Sequence, residues 1–201
     1  MTGVQTCALP ISAGEHFGKG DKYFGICILM ATFPGLPMFG HGQIEGYSEK
    51  YGMEFKKPYW DEFPDPYLVQ RHRDIIFPLL HQRALFSSVA DFRLFDFYQE
   101  GGGVNEDVFA YTNRNGFDRG LVIYHNRFAE TSGWLRISAS FAGKQPGEKE
   151  FDLRQSTLME SLGYQPGVGR FIIFRDAVSG LEFIRSSIEM SEQGLHFHLH
   201  A

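Results

Sequence analysis

Pro34-Gly-Leu-Pro-Met-Phe-Gly-His-Gly-Gln-Ile-Glu-Gly46 is the stretch on which the reading of this chain turns. Its prolines and glycines stop any helix arriving from the N-terminal side, because proline lacks a backbone donor and pushes the residue before it out of the helical region. Leu36-Pro-Met-Phe39 is then an apolar run of strand length bounded by glycines. Upstream, Tyr23, Phe24, Cys27, Ile28 and Ala31 form a near-continuous apolar stripe. They predict a helix over 14–31, entered through Gly18, Gly20 and Asp21, with Asp21 as its N-cap. That segment is apolar almost all round, which predicts burial. Helix, tight turn and short buried strand make half of an α/β repeat.

Working outward, residues 40–64 form a long polar and aromatic connection, and a loop of that size inside a compact domain is a functional element or a lid. Asp65-Pro66 closes it with the strongest helix start in the chain, an N-capping carboxylate followed by proline at the first helical position. Leu68, His72, Ile75 and Leu79, joined by Val69, Ile76 and Leu80, continue that helix to about Arg83. After Phe86 the apolar period falls towards two, over 92–98, 107–112, 120–125 and 133–138, with turn-rich glycine and asparagine segments between. One short helix is expected over 156–162, and strands over 171–174, 181–184 and 195–199. The predicted class is α+β, with a boundary near 87–90 that separates an α/β part, 13–88, from an antiparallel β-sandwich, 89–201.

Composition narrows the function. The 201 residues are 43% hydrophobic and 15% aromatic, with twenty Phe against two Trp, enough to bury a core and weighted towards strands. A net charge of −5 without a basic run speaks against a nucleic-acid partner. The most apolar stretch, Tyr23 to Phe39, is broken by Pro34, Gly35 and Pro37, so no membrane partner is expected. Cys7 and Cys27 give neither a disulfide framework nor a CxxC pair, which favours a reducing, cytoplasmic setting. Residues 1–12 lack the basic start of a secretory signal and resemble translated sequencing-adapter read-through, so they are expected to be non-native.

Chemistry-bearing motifs are few. Gly18-Lys-Gly-Asp21 lacks phosphate-loop spacing, Gly163, Gly167 and Gly169 lack a strand-turn-helix context, and no G-x-S-x-G elbow occurs. No cofactor is therefore expected. His196, His198 and His200 alternate along one strand and would project from one face, a geometry able to chelate a metal. With no second cluster of ligands nearby in sequence, a polar strand face is the simpler reading and no metal is assigned. Asp61 with Glu62, beside Tyr59 and Trp60, are candidates for ligand contact. Glu106 and Asp107 read as ordinary turn residues ahead of a strand.

Taken together, Pro34–Gly46 resembles the eighth-strand signature of the α-amylase family of glycoside hydrolases. The glycines and prolines of that signature are in place. Gly40 and His41 stand where many members carry two tyrosines, and Gln43 stands where an acidic residue is common. The segments around it follow the family order: 14–31 resembles the seventh barrel helix, 65–83 the eighth, and Val104–Arg114 with Arg119–Asn126 the first strands of the C-terminal β-domain. The resemblance implies the last βα elements of a truncated (β/α)8 barrel followed by an antiparallel β-sandwich. It implies a parent enzyme acting on α-glucans such as starch, glycogen or maltooligosaccharides by retaining acid/base catalysis. The catalytic carboxylates of that family come from strands four, five and seven, so none falls in this chain, and the fragment alone is expected to be inactive. His41, Gln43 and Glu45 would emerge at the barrel mouth, as substrate contacts or as supports of its rim. The alternative is a non-catalytic carbohydrate-binding β-sandwich module that stacks sugars on Tyr59, Trp60 or Trp134.

Overall fold

The computed structural model describes residues 17–49, 59–143 and 152–200. They divide into two compact units. The first runs up to Ala31 and resumes over Leu36–His81; the second takes Thr32–Gly35 and the described residues from Gln82 onward.

In the first unit, α1 (Asp21–Thr32) begins at Asp21 itself; the Phe24 N–H bonds to the Gly20 carbonyl, so Asp21 lies inside the first turn and is not the cap. Its carboxylate instead pairs with Arg71 at 2.9 Å. The part of the expected helix before Phe17 lies outside the described residues. Tyr23, Phe24, Cys27 and Ala31 are buried, whereas Ile26, Leu29 and Met30 remain half-open, so burial covers one face of a helix that is apolar on all of them.

Asp65 caps the next helix as its sequence predicts, its side chain accepting from the Tyr67 and Leu68 N–H groups. The element is not uniform: α2 (Pro66–Arg71) gives way to a π-helical turn (His72–Ile76) and then to α3 (Phe77–His81). Pro78 accounts for the wide turn. It has no N–H to donate to the Asp74 carbonyl and its ring would collide there, so the turn before it opens and the Phe77 N–H reaches back to His72. Leu68 and Ile76 from this helix close over Tyr23, Phe24 and Cys27 to form the unit's core.

The buried strand expected over Leu36–Phe39 is absent. These residues make no strand pairing, and Leu36 and Met38 are 84% and 73% exposed. A strand persists only where a neighbour takes its backbone hydrogen bonds, and no described segment pairs with this one.

The second unit is α+β and antiparallel throughout. A three-stranded sheet orders β1 (Arg93–Phe95), β3 (Val108–Asn115) and β4 (Asp118–His125) as β1-β3-β4. A second sheet orders β2 (Tyr98–Gln99), β5 (Thr131–Leu135) and β10 (Leu195–Leu199) as β10-β5-β2. Two hairpins follow, β6 (Phe141–Gly143) with β7 (Asp152–Arg154), and β8 (Phe171–Arg175) with β9 (Glu182–Ser186). Short helices α4 (Arg83–Phe86), α5 (Leu158–Ser161) and α6 (Ser187–Gln193) complete it. The expected two-layer sandwich is therefore four small sheets, and no barrel closes among the described residues. Three of these sheets share one core that includes Phe95, Phe97, Ala110, Leu135, Leu158, Ile172 and Leu195, to which the β6–β7 hairpin adds no residue. The single strand expected over 92–98 splits between two sheets, with Phe95 and Phe97 both turned into that core. Gly133 is needed where β5 meets β2, because a Cβ there would stand 2.4 Å from the Tyr98 carbonyl oxygen. Thr32–Gly35 belongs here through Thr32, whose hydroxyl bonds to that of Tyr111, and Phe33, whose ring stacks on Tyr111 at 4.6 Å.

Candidate functional site

In the first unit two carboxylates tie together the described parts of the long connection, 40–49 and 59–64. Glu62 accepts the N–H groups of Ser48 and Glu49 at 2.7 and 2.9 Å, and those two bonds hold its carboxyl below the usual carboxylate range. Glu49 in turn accepts the N–H of Tyr59 at 2.8 Å and that of Trp60 at 2.9 Å. This reciprocal clasp fixes the backbone beneath two aromatic side chains that stay 77% and 58% exposed. Phe63 and Tyr67, further along the same segment, are exposed as well. Large rings held outward on a fixed backbone are a stacking surface for a flat, partly apolar ligand. Of the two candidates for ligand contact, Glu62 is engaged by the Ser48 and Glu49 N–H groups, while Asp61 beside it is exposed.

The three rim residues have different settings. His41 is exposed, its ring 6.2 Å from that of Tyr47. Gln43 points inward: its Oε1 accepts the Gly40 N–H at 3.0 Å and its Nε2 lies 3.9 Å from the Cys27 sulfur. Glu45 is half-buried, and its carbonyl accepts the Asp65 N–H at 2.8 Å, tying the rim to the N-cap of α2. Gly46 sits at φ +81°, with Leu68 Cδ2 only 2.8 Å from where a Cβ would be, so the last glycine of the quoted motif is required by both conformation and space. Of the three, Gln43 acts as a plug of its own turn.

Beneath the rim lies a buried polar chain that the sequence did not disclose. His72 is fully buried, with Nδ1 2.9 Å from the Leu68 carbonyl and Nε2 2.9 Å from the Tyr23 hydroxyl. Nδ1 must donate to the carbonyl, which leaves Nε2 as an acceptor. The Tyr23 hydroxyl also faces the Gln43 carbonyl at 3.1 Å, so one proton serves two acceptors. Burial raises the Tyr23 hydroxyl and lowers His72 from its ordinary value, the latter opposed by the Leu68 bond and the Glu45 charge. Both groups therefore stay neutral and hold the Gly40–Gly46 turn against α1 and the π-helical turn. In sequence His72 reads as one more position of an amphipathic helix, because the tyrosine that partners its Nε2 lies on a different helix.

In the second unit the histidine strand is real: β10 runs antiparallel to β5 in the register His196↔Trp134 and His198↔Ser132. His196 is taken by Glu100 at 2.8 Å and lies 4.8 Å from the Trp134 ring. Trp134 is half-buried, with the Arg136 guanidinium also against its ring, and is a poor stacking platform. Glu130 joins His198 and His200, the three offering ligand atoms within 4.8 Å of one another. The acidic partner missing from the neighbouring sequence is thus supplied by strand pairing. Asp107 forms an ion pair with Arg127 at 3.0 Å and its N–H is held by the Asn105 side chain, the behaviour of a turn residue.

No helix among the described residues is long and apolar enough to cross a membrane. No family model matches the chain, and comparisons with curated proteins and with solved structures found no match.

Proposed function

We propose that this chain is the C-terminal part of an α-amylase-like glycoside hydrolase, and that residues 40–67 contribute a glucan-facing rim to its active-site mouth. The observation that carries the proposal is the Glu49–Glu62 clasp, which presents Tyr59 and Trp60 to solvent in the loop that this resemblance puts at the carboxyl end of barrel strand eight. An α-glucan offers alternating apolar ring faces and hydroxyl edges, which suit aromatic stacking beside exposed His41. The positive φ of Gly46 and the capped helix at Asp65 support the same reading, since the resemblance implies a glycine ending the motif and a helix after it. So do the half-open Ile26, Leu29 and Met30, apolar groups that neighbouring barrel staves would cover. The chemistry itself, proton donation to the glycosidic oxygen and attack by a carboxylate, belongs to residues of the parent outside this chain.

The test is a fluorescence titration of the Trp134→Phe chain with maltoheptaose, so that Trp60 alone reports. The proposal expects saturable quenching, with affinity about tenfold weaker in Tyr59→Ala, equivalent to ~1.4 kcal/mol. An unchanged spectrum at millimolar sugar, or equal binding by the variant, would overturn the rim.

A further inference from the structure

We infer that Glu130, His198 and His200 form a binding site for a borderline divalent cation of the zinc(II) type, on the outer face of the β10-β5-β2 sheet. The site rests on strand geometry and is independent of the glucan reading.

Alternation along β10 puts His198 and the following His200 on one side, and the antiparallel register pairs His198 with Ser132 of β5, with Glu130 just ahead of that strand. The two imidazole rings stand edge to face with centroids 4.4 Å apart, and His200 Nδ1 is 3.6 Å from Glu130 Oε1. In a tetrahedral site with metal–ligand bonds of about 2.0–2.1 Å, ligand atoms are separated by roughly 3.3 Å. The His200–Glu130 spacing is already close to that, and all three ligand atoms fit within 4.8 Å, a gap that exposed side chains close by small torsions. Two imidazoles and a carboxylate, with a fourth position left for water, match the hardness of zinc(II) better than that of calcium or magnesium, which prefer all-oxygen shells.

Two further features favour the assignment over a merely polar strand face. Ser132 Oγ is hydrogen-bonded to His198 Nδ1, which leaves Nε2 as the ligating nitrogen and orients the ring as outer-shell partners of metal-ligating histidines do. The third histidine of the series is excluded by its own contacts, since His196 is held by Glu100 and packed on Trp134. The chelating pair is therefore selected by its surroundings, with His198 held in the β5–β10 ladder and His200 one residue past the end of β10.

The experiment uses the untagged chain, stripped with a chelator, and cobalt(II) as the spectroscopic probe, followed by displacement with zinc(II). One equivalent of cobalt should give the intense visible bands of a tetrahedral ion, and zinc should abolish them. His198→Ala, His200→Ala and Glu130→Gln should each weaken binding at least tenfold, while His196→Ala should leave it unchanged. Ser132→Ala should weaken it by less than the ligand substitutions. All five positions are on the outer sheet face, and unchanged circular dichroism verifies that each variant folds. Absence of a tetrahedral spectrum, or titrations in which His198→Ala and His200→Ala bind like the parent chain, would overturn the site.

Discussion

Replacing Tyr23 by Phe removes one oxygen atom from the first unit and leaves every apolar contact of the ring in place. In the folded chain that oxygen is the hydrogen-bond partner of His72 Nε2, at 2.9 Å, and it also donates towards the Gln43 carbonyl at 3.1 Å. The loss is therefore one buried hydrogen bond plus an orphaned acceptor on a fully buried imidazole. A hydrogen bond contributes about 1 kcal/mol net, and a stranded buried acceptor costs about 1–3 kcal/mol, so a destabilisation of roughly 2 kcal/mol is expected. At a urea m-value of about 1.5 kcal/mol/M this moves the midpoint of the first unit down by roughly 1.3 M. The assay is urea unfolding at pH 7.5 in a Trp134→Phe background, followed through Trp60. His72→Phe together with Tyr23→Phe should recover part of the loss, because the orphan disappears with its partner. A midpoint shift below about 0.3 M for Tyr23→Phe alone would refute the buried chain as a structural tie.

The remaining expectations are more local. Because burial lowers His72 below its ordinary value of 6.5, the unfolded chain binds that proton more readily; its contribution is complete above pH 6.5 and is lost as the pH falls towards the lowered folded value. Urea midpoints of the first unit should fall over that window, and should fall less in His72→Gln. Gly133→Ala forces a methyl group against the Tyr98 carbonyl and the Phe97 ring and should cost about 2–4 kcal/mol, read as a lowered thermal midpoint of the second unit. Glu49→Ala releases the Tyr59 and Trp60 backbone; it should broaden the Trp60 emission and weaken maltoheptaose binding about as much as Tyr59→Ala, without altering the second unit.

Local signals in the sequence located most of the elements, and the misses arise where a distant partner or a masked local breaker decides the outcome. Asp65-Pro66 is read correctly because a cap and a proline act within three residues. The β3–β4 hairpin is read correctly because its partners are adjacent, although its strands run further than expected and turn at Gly116 and Phe117. Leu36–Phe39 fails because strand formation depends on partners elsewhere, which apolar composition cannot reveal. The π-helical turn was signalled by Pro78, a helix-interior proline that the apolar periodicity masks. Among the candidate site residues, Tyr59 and Trp60 are exposed, whereas the side chains of Gln43 and Glu62 accept backbone N–H groups of their own loop, bonds that residue type alone does not signal. Glu130 and Glu100 could be placed beside histidines 196–200 only once the β5–β10 register was known.

Activity of the extended protein bears most directly on the central claim. The reading frame is extended upstream of Ala13 in the source DNA, the full product is expressed, and its action on soluble starch is followed by proton NMR. The account predicts an upstream barrel with acidic residues at the ends of strands four, five and seven, and first products released as α-anomers. No such barrel, no cleavage, or release of β-anomers would contradict it.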